Sequence, residues 1–339
     1  MIDLVELEPN EQKEKLRFTF RITVVKVLIA LNVLIWAVGA FLWLSVTDQP
    51  PMRSEDFVMA REIAIPIQTD FDDFRLDFAL ILEDTDLAIT SRNALLINLD
   101  TGEIVFNHYG EERAYPASIT KIMTVLLGII YGENDYVLVN ANFNYLMGAG
   151  AALAGFVYGE TRTFSEILHG SMLSSGADAT TALAYNVSGS YQEFVNLMNT
   201  TAARLGMANT HFMNASGLHH EHHFTTAYDT ALLIDYALNY PAFRTIFTQA
   251  TYSFTDFFGY TRLMESSMQQ SMPSLWFNGG HILGGKSGFT QPAGLCLASI
   301  ASNGEHEFVL VTFGAPVVDD MNTHTLDAFA IYEYFFTMD

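Results

Sequence analysis

The chain has 339 residues, room for a short targeting segment plus one large domain or two modest ones. Half of it is apolar, enough for a sizeable core, while a formal net charge of −22 leaves too little cationic surface to hold nucleic-acid phosphates. The single cysteine, Cys296, excludes an intrachain disulfide and any cysteine cluster for zinc.

Taken in order, the first feature is Val27 to Val46, 20 residues without a charge, which is the length a bilayer span requires. Lys13, Lys15, Arg17, Arg21 and Lys26 precede it, and Asp48, Pro50 and Pro51 follow. The positive-inside rule then predicts a single-pass anchor with residues 1–26 in the cytoplasm and everything beyond 46 outside the cell membrane. A cleaved signal peptide is the competing expectation, since Ala37-Val38-Gly39-Ala40 is small, but Phe41-Leu42-Trp43-Leu44 continues the apolar run past it. Residues 47–92 mix prolines, acids and short apolar runs and read as a stalk and lead-in; 93–339 read as the main domain.

From Ala94 the pattern sharpens. Ala94–Leu99, the turn Asp100-Thr101-Gly102 and Glu103–Asn107 predict a β-hairpin. Helical periodicity dominates from Ile119 to about Tyr240. Within it Thr163-Phe164-Ser165-Glu166 has the form of a capping box, and Tyr191 to Leu205 is amphipathic at helical spacing. After Phe277, the runs Ile282–Lys286, Gly294–Ala301 and Glu307–Phe313, with a turn at Asn303-Gly304, predict antiparallel strands. Asp320 to Phe336 reads as a closing helix. The class is α/β in the broad α+β sense: strands, a helical middle, strands and a last helix.

Three short motifs stand on this frame. Ser118 and Lys121, three residues apart at the head of an apolar run, fall on one helical face; burial would disfavour the ammonium and let Lys121 accept the Ser118 proton. In Ser174-Ser175-Gly176-Ala177, Gly176 breaks a helical pattern and exposes the Ser175 hydroxyl on a turn. Gly284-Gly285-Lys286-Ser287-Gly288-Phe289-Thr290 is a strand bearing a lysine, a hydroxyl and a glycine that admits another group close to the backbone. Beyond Lys26 the chain has nine arginines and only two lysines, and the two are Lys121 and Lys286. His219-His220-Glu221-His222-His223 gathers imidazoles, but adjacent residues rarely converge on one ion, so no metal is expected.

S-x-x-K, S-G-A and K-S-G in this order resemble the three-motif signature of penicillin-recognising serine enzymes, S-x-x-K, S-x-N and K-T-G. The text around them is similar to the D-alanyl-D-alanine carboxypeptidase family, the S11 serine peptidases. That text includes Pro116–Thr124, Ala149–Phe156, Leu205–Phe212, Asn214–Leu218 and Gly284–Thr290. The resemblance covers roughly residues 93 to 315. It implies a β-lactamase-like, DD-peptidase-like fold, an antiparallel sheet flanked by helices with a helical subdomain. It also implies hydrolysis of peptidoglycan stem peptides ending in D-Ala-D-Ala, inhibition by β-lactams, and no cofactor. Residue by residue it makes Ser118 the nucleophile, Lys121 its base and Ser175 a relay to the leaving amine. Lys286 and Ser287 become holders of the terminal carboxylate, and the backbone N–H groups of Ser118 and Phe289, beside Gly288, become the oxyanion hole. Two positions depart from the pattern: Ser287 keeps the hydroxyl of the usual threonine, and Ala177 replaces an asparagine with a methyl group that cannot bind a substrate amide. A binding module of the same fold that turns over poorly is therefore the alternative. A class A β-lactamase is disfavoured, because no glutamate between Lys121 and Lys286 stands in an E-x-x-L-N context.

Overall fold

A computed structural model of the protein describes residues 87–132, 135–141, 143–318 and 322–337. The apolar stretch Val27–Val46 lies outside these residues; among them no helix is long and apolar enough to cross a membrane.

The strands are β1 (Asn93–Asn98), β2 (Ile104–His108), β3 (Tyr136–Leu138), β4 (Thr161–Thr163), β5 (Thr251–Thr255), β6 (Thr261–Glu265), β7 (Trp276–Phe277), β8 (Gly280–Thr290), β9 (Gly294–Ser302) and β10 (Glu307–Ala315). Six form one antiparallel sheet in the order β2-β1-β10-β9-β8-β7; β3 with β4 and β5 with β6 form two small ribbons. The helices are α1 (Lys121–Tyr131), α2 (Phe143–Gly148), α3 (Phe164–Met172), α4 (Ala177–Ser188), α5 (Tyr191–Arg204), α6 (Ala227–Leu238), α7 (Pro241–Thr248), α8 (Ser267–Ser271) and α9 (Thr323–Phe336).

The central strands are apolar at almost every position because the sheet is covered on both faces, which removes the usual polar-out alternation. Leu95, Ile97, Val309 and Val311 point into the larger core with Ile122 and Leu126 of α1 and Leu233 of α6. Ala94, Leu96, Leu310 and Leu297 point the other way, against Ala328, Ile331 and Tyr332 of α9. The last residues of the lead-in run onto that second face, where the buried Asp327 carboxylate of α9 accepts from Thr90 N (2.9 Å), Thr90 Oγ1 (3.0 Å), Ser91 N (2.7 Å) and Ser91 Oγ (2.6 Å).

The hairpin expected from Ala94 forms as β1 and β2, and the capping box on α3 is present in both directions, Glu166 N to Thr163 Oγ1 and Thr163 N to Glu166 Oε2. The helical middle is less continuous than its periodicity suggests. The β3–β4 ribbon interrupts it, and Met207 to Thr226 is a loop held by isolated bridges, because backbone pairing to Ala114 and within the loop replaces helical bonds.

Candidate active site

The site opens at a 3₁₀ turn, Ala117–Thr120, set by Pro116 and by Ala117 in the left-handed region at φ 47°. The turn runs straight into α1, so Lys121 is the first residue of the helix that Ser118 precedes. Lys121 Nζ lies 2.9 Å from Ser118 Oγ and donates to the Ser216 carbonyl at 2.5 Å. The lysine is 2% exposed. Burial pulls its pKa down from 10.5 to about 7, against a smaller opposing pull from the Asp178 carboxylate.

The Ser216 carbonyl is held in place by Asn214. Its Oδ1 accepts from Gly217 N (2.7 Å) and Ser216 N (3.2 Å), and its Nδ2 donates to the Leu218 carbonyl (2.8 Å). Gly217 has φ +82°, and a Cβ there would fall 1.8 Å from the Ala117 carbonyl oxygen, so only glycine lets this loop seat under the Ser118 turn.

Ser175 sits where α3 gives way to α4, at φ 56°, and faces the same cavity as Ser118 and Lys121. The residue is on a turn as expected from Gly176, but is 7% exposed because the turn folds inward. Ala177, first residue of α4, is 1% exposed and packs with Ala141, Leu146, Ala151 and Leu218, so this wall is apolar. Next to it is a residue with no signal in the motifs. Asp178 is fully buried and accepts from the backbone N–H groups of Ala154 (2.8 Å), Gly155 (3.1 Å) and Phe156 (3.1 Å), pinning the loop that follows the cavity wall at Ala149–Ala152.

Strand β8 forms the opposite wall. Gly288 passes so close to Ser118 that a Cβ would lie 2.8 Å from Ser118 N, which brings Ser287, Gly288 and Phe289 to the cavity. Lys286 is arranged differently from the side-by-side cation and hydroxyl that the motif suggests. It is 1% exposed and behind the wall, donating to Ser267 Oγ (3.0 Å) and to the Ser287 carbonyl (2.7 Å). Burial, with the Lys121 charge adding to it, holds its pKa well below the ordinary value. Ser267 Oγ in turn lies 3.2 Å from Ser287 Oγ. Ser267, from α8, is a contributor that its Glu-Ser-Ser-Met context does not advertise.

The histidine stretch diverges. His219 meets the Tyr115 ring edge-on, His220 Nδ1 accepts from His222 N, and His223 is buried with Nε2 2.8 Å from Thr120 Oγ1. Burial, reinforced by neighbouring imidazoles and Lys121, pushes His223 down to about 3, so it is a neutral brace for the Ala117–Thr120 turn.

Together these walls enclose a cavity of about 560 Å³ with a serine hydroxyl and a desolvated amine in contact at its floor. That is the equipment of an active-serine enzyme that uses lysine as its base. The model of the D-alanyl-D-alanine carboxypeptidase family, peptidase S11, matches residues 81–317, and the chain belongs to that family. It is 33% identical over 256 residues to the D-alanyl-D-alanine carboxypeptidase DacF of Bacillus subtilis, covering 74% of this chain and 64% of that protein. It is 28% identical over 237 residues to DacA of Escherichia coli, covering 67% and 56%. The chain thus spans less than two thirds of the length of these relatives. The crystal structure of the Streptomyces K15 DD-transpeptidase superposes with a TM-score of 0.66 at 26% identity, covering 75% of this chain and all of that one (100%). The mixed fold of antiparallel sheet and helices is the one these DD-peptidases share.

Proposed function

We propose that this chain is a serine-type D-Ala-D-Ala carboxypeptidase that removes the terminal D-alanine from peptidoglycan stem peptides through an acyl-enzyme. The observation that carries the reading is the Ser118–Lys121 contact at 2.9 Å with the amine brought to about 7. At neutral pH a large share of Lys121 is free base. Its two N–H bonds can serve the Ser216 carbonyl while its lone pair faces Ser118 Oγ–H. Ser118 Oγ attacks the carbonyl of the terminal peptide bond as its proton passes to Lys121, a step worth about a hundred- to ten-thousandfold in rate. The oxyanion is met by the N–H groups of Ser118 and Phe289, which the approach of Gly288 to Ser118 N supports. The tetrahedral intermediate expels D-alanine, whose amine takes a proton by way of Ser175, and water then hydrolyses the ester. β-Lactams would form the same ester and stay.

The N-terminal run Val27–Val46 would anchor the enzyme as a single-pass membrane protein, N-terminus inside and catalytic domain outside. Fractionation with membranes, and digestion of all but the N-terminus by protease added outside, is the expected result; a soluble form beginning near Phe41 would contradict it.

The test of function is free D-alanine released from a synthetic pentapeptide, run beside covalent labelling with a fluorescent penicillin. Wild type should do both and Ser118→Ala neither, since no other oxygen then forms the ester. Labelling without D-alanine release would instead identify a penicillin-binding module that does not turn over.

A further inference from the structure

A second cavity, of about 440 Å³, lies at the end of β8, where the turn into β9 meets the start of β1 and the end of β10. Phe289, Gln291 and Pro292 line both this cavity and the active-site cavity, so the two share a rim. Of the described residues around the second cavity only Arg92 is charged. Gly314, at φ +76° beside an irregularity in β10, lies under the stem of that side chain: a Cβ there would fall 3.0 Å from each of Cβ, Cγ and Cδ of Arg92. The stem is thus seated on backbone while the residue stays exposed.

The described fold gives this arginine nothing to hold. Arg162, Arg244 and Arg262 are paired with Glu160, Glu307 and Asp256, and Arg113 lies over the Phe224 ring. Among the described residues Arg92 has no ion pair, hydrogen bond or ring partner, although carboxylates abound in a chain of net charge −22. The neighbouring Thr90 and Ser91 give their donors to Asp327. Gln291, on the shared rim, is exposed, and its side-chain amide makes no hydrogen bond among the described residues either. A guanidinium fork and an amide N–H lining one cavity are a reception for a carboxylate. The proposed reaction brings one within reach. With the scissile carbonyl at Phe289 N and the leaving D-alanine on the Ser287 side, the earlier residues of an extended stem peptide run along β8 toward Gln291. Phe289 to Gln291 is two residues of strand, about 7 Å, which two residues of extended peptide also span.

We infer that Arg92, with Gln291, forms a subsite that binds a carboxylate carried by the stem peptide upstream of the scissile bond. Two carboxylates stand at that distance: the α-carboxylate of a γ-linked D-glutamate as second residue, and the side-chain carboxylate of a meso-diaminopimelate as third. The assignment rests on the carboxypeptidase reading, and the experiment separates the two. D-Alanine release is measured at low ionic strength from four synthetic pentapeptides. One carries both carboxylates, one has D-isoglutamine as second residue, one has L-lysine as third, and one has both replacements. Wild type should show a kcat/KM about three- to tenfold higher for the first peptide than for the last, the range for an exposed but fork-shaped ion pair, and the ratio should shrink in about 0.5 M salt. Whichever single replacement removes the preference identifies the carboxylate. Arg92→Gln should bring the ratio near one, Arg92→Glu should invert it, and Arg92→Lys, which keeps the charge, should retain part of it. Fluorescent penicillin, which has no upstream peptide, should still label Ser118 in all three, showing that they fold. Equal release from all four peptides by wild type overturns the assignment of Arg92. So does an Arg92→Gln variant that keeps the preference and only loses thermal stability, since the arginine would then serve the fold. A wild type that releases D-alanine from none of the peptides overturns the carboxypeptidase reading itself.

Discussion

Lys121 makes the sharpest prediction because, in the proposed mechanism, its burial sets the pH dependence of acylation. An amine at the ordinary 10.5 would be free base in about one molecule in three thousand at pH 7, whereas at about 7 roughly half is. The ratio, about 1,500-fold, corresponds to on the order of 4 kcal/mol of protonation free energy supplied by desolvation. If the free base takes the Ser118 proton, the second-order rate of β-lactam acylation should climb about tenfold per pH unit below the midpoint and level off above it. Between about pH 5.5 and about pH 8.5 the rise should be about thirtyfold. His324 at about 4 and His223 at about 3 titrate below this window and do not confuse it. The same burial appears in stability. Between about 7 and 10.5 the unfolded chain holds a proton at Lys121 that the folded chain lacks, so this group's cost is full below 7 and falls as pH rises to 10.5. Stopped-flow acylation gives the rate profile and urea midpoints give the stability trend. A flat rate profile, or a rise centred near pH 10, would refute the role given to desolvation.

Gly288→Ala should cut acylation strongly while leaving the fold intact by circular dichroism, because its Cβ would press on Ser118 N at 2.8 Å and displace one of the two proposed oxyanion donors; a donor lost there costs roughly 3 to 4 kcal/mol. Ala177→Asn should change kcat/KM by less than about a hundredfold, since one neutral hydrogen bond is worth about 0.5 to 1.5 kcal/mol, with Ser118→Ala as the blank. Asp178→Asn should lower the thermal midpoint and quicken proteolysis near Ala154–Phe156, because the carboxylate that accepts from four backbone N–H groups, three of them in that loop, is replaced by a neutral amide.

Short-range physics made part of this site legible. A serine three residues before a lysine at the head of an apolar run falls on the same face by its spacing, and the two are 2.9 Å apart. The strand character of Gly284–Thr290 was equally plain, as was the need for glycine at 288. What neighbours do to a side chain was not legible. Lys286 looks like a surface-reaching cation in the sequence, and only the packing of α8 and β8 turns it inward to Ser267, a hydroxyl 19 residues away with no motif around it. Ser216, Asn214 and Asp178 act through a carbonyl, a loop and three N–H groups, and such backbone service leaves no spacing to find. The histidine stretch gathers imidazoles without a ligand spacing, and the sequence did not show that His223 would brace Thr120, a use decided by its burial.

The four hydrogen bonds that Asp327 accepts from Thr90 and Ser91 also bear on where the chain could be shortened. A version trimmed to begin at Asn93 would keep every strand, helix and motif described above, yet it would strand a buried carboxylate with all four donors gone. That carboxylate is one turn along α9 from His324, so the damage would fall on the helix head that borders the cavity. Beginning instead at Leu87 retains the fastening. The start of the described fold is thus fastened by a side chain near its far end, 236 residues away from Ser91 along the chain.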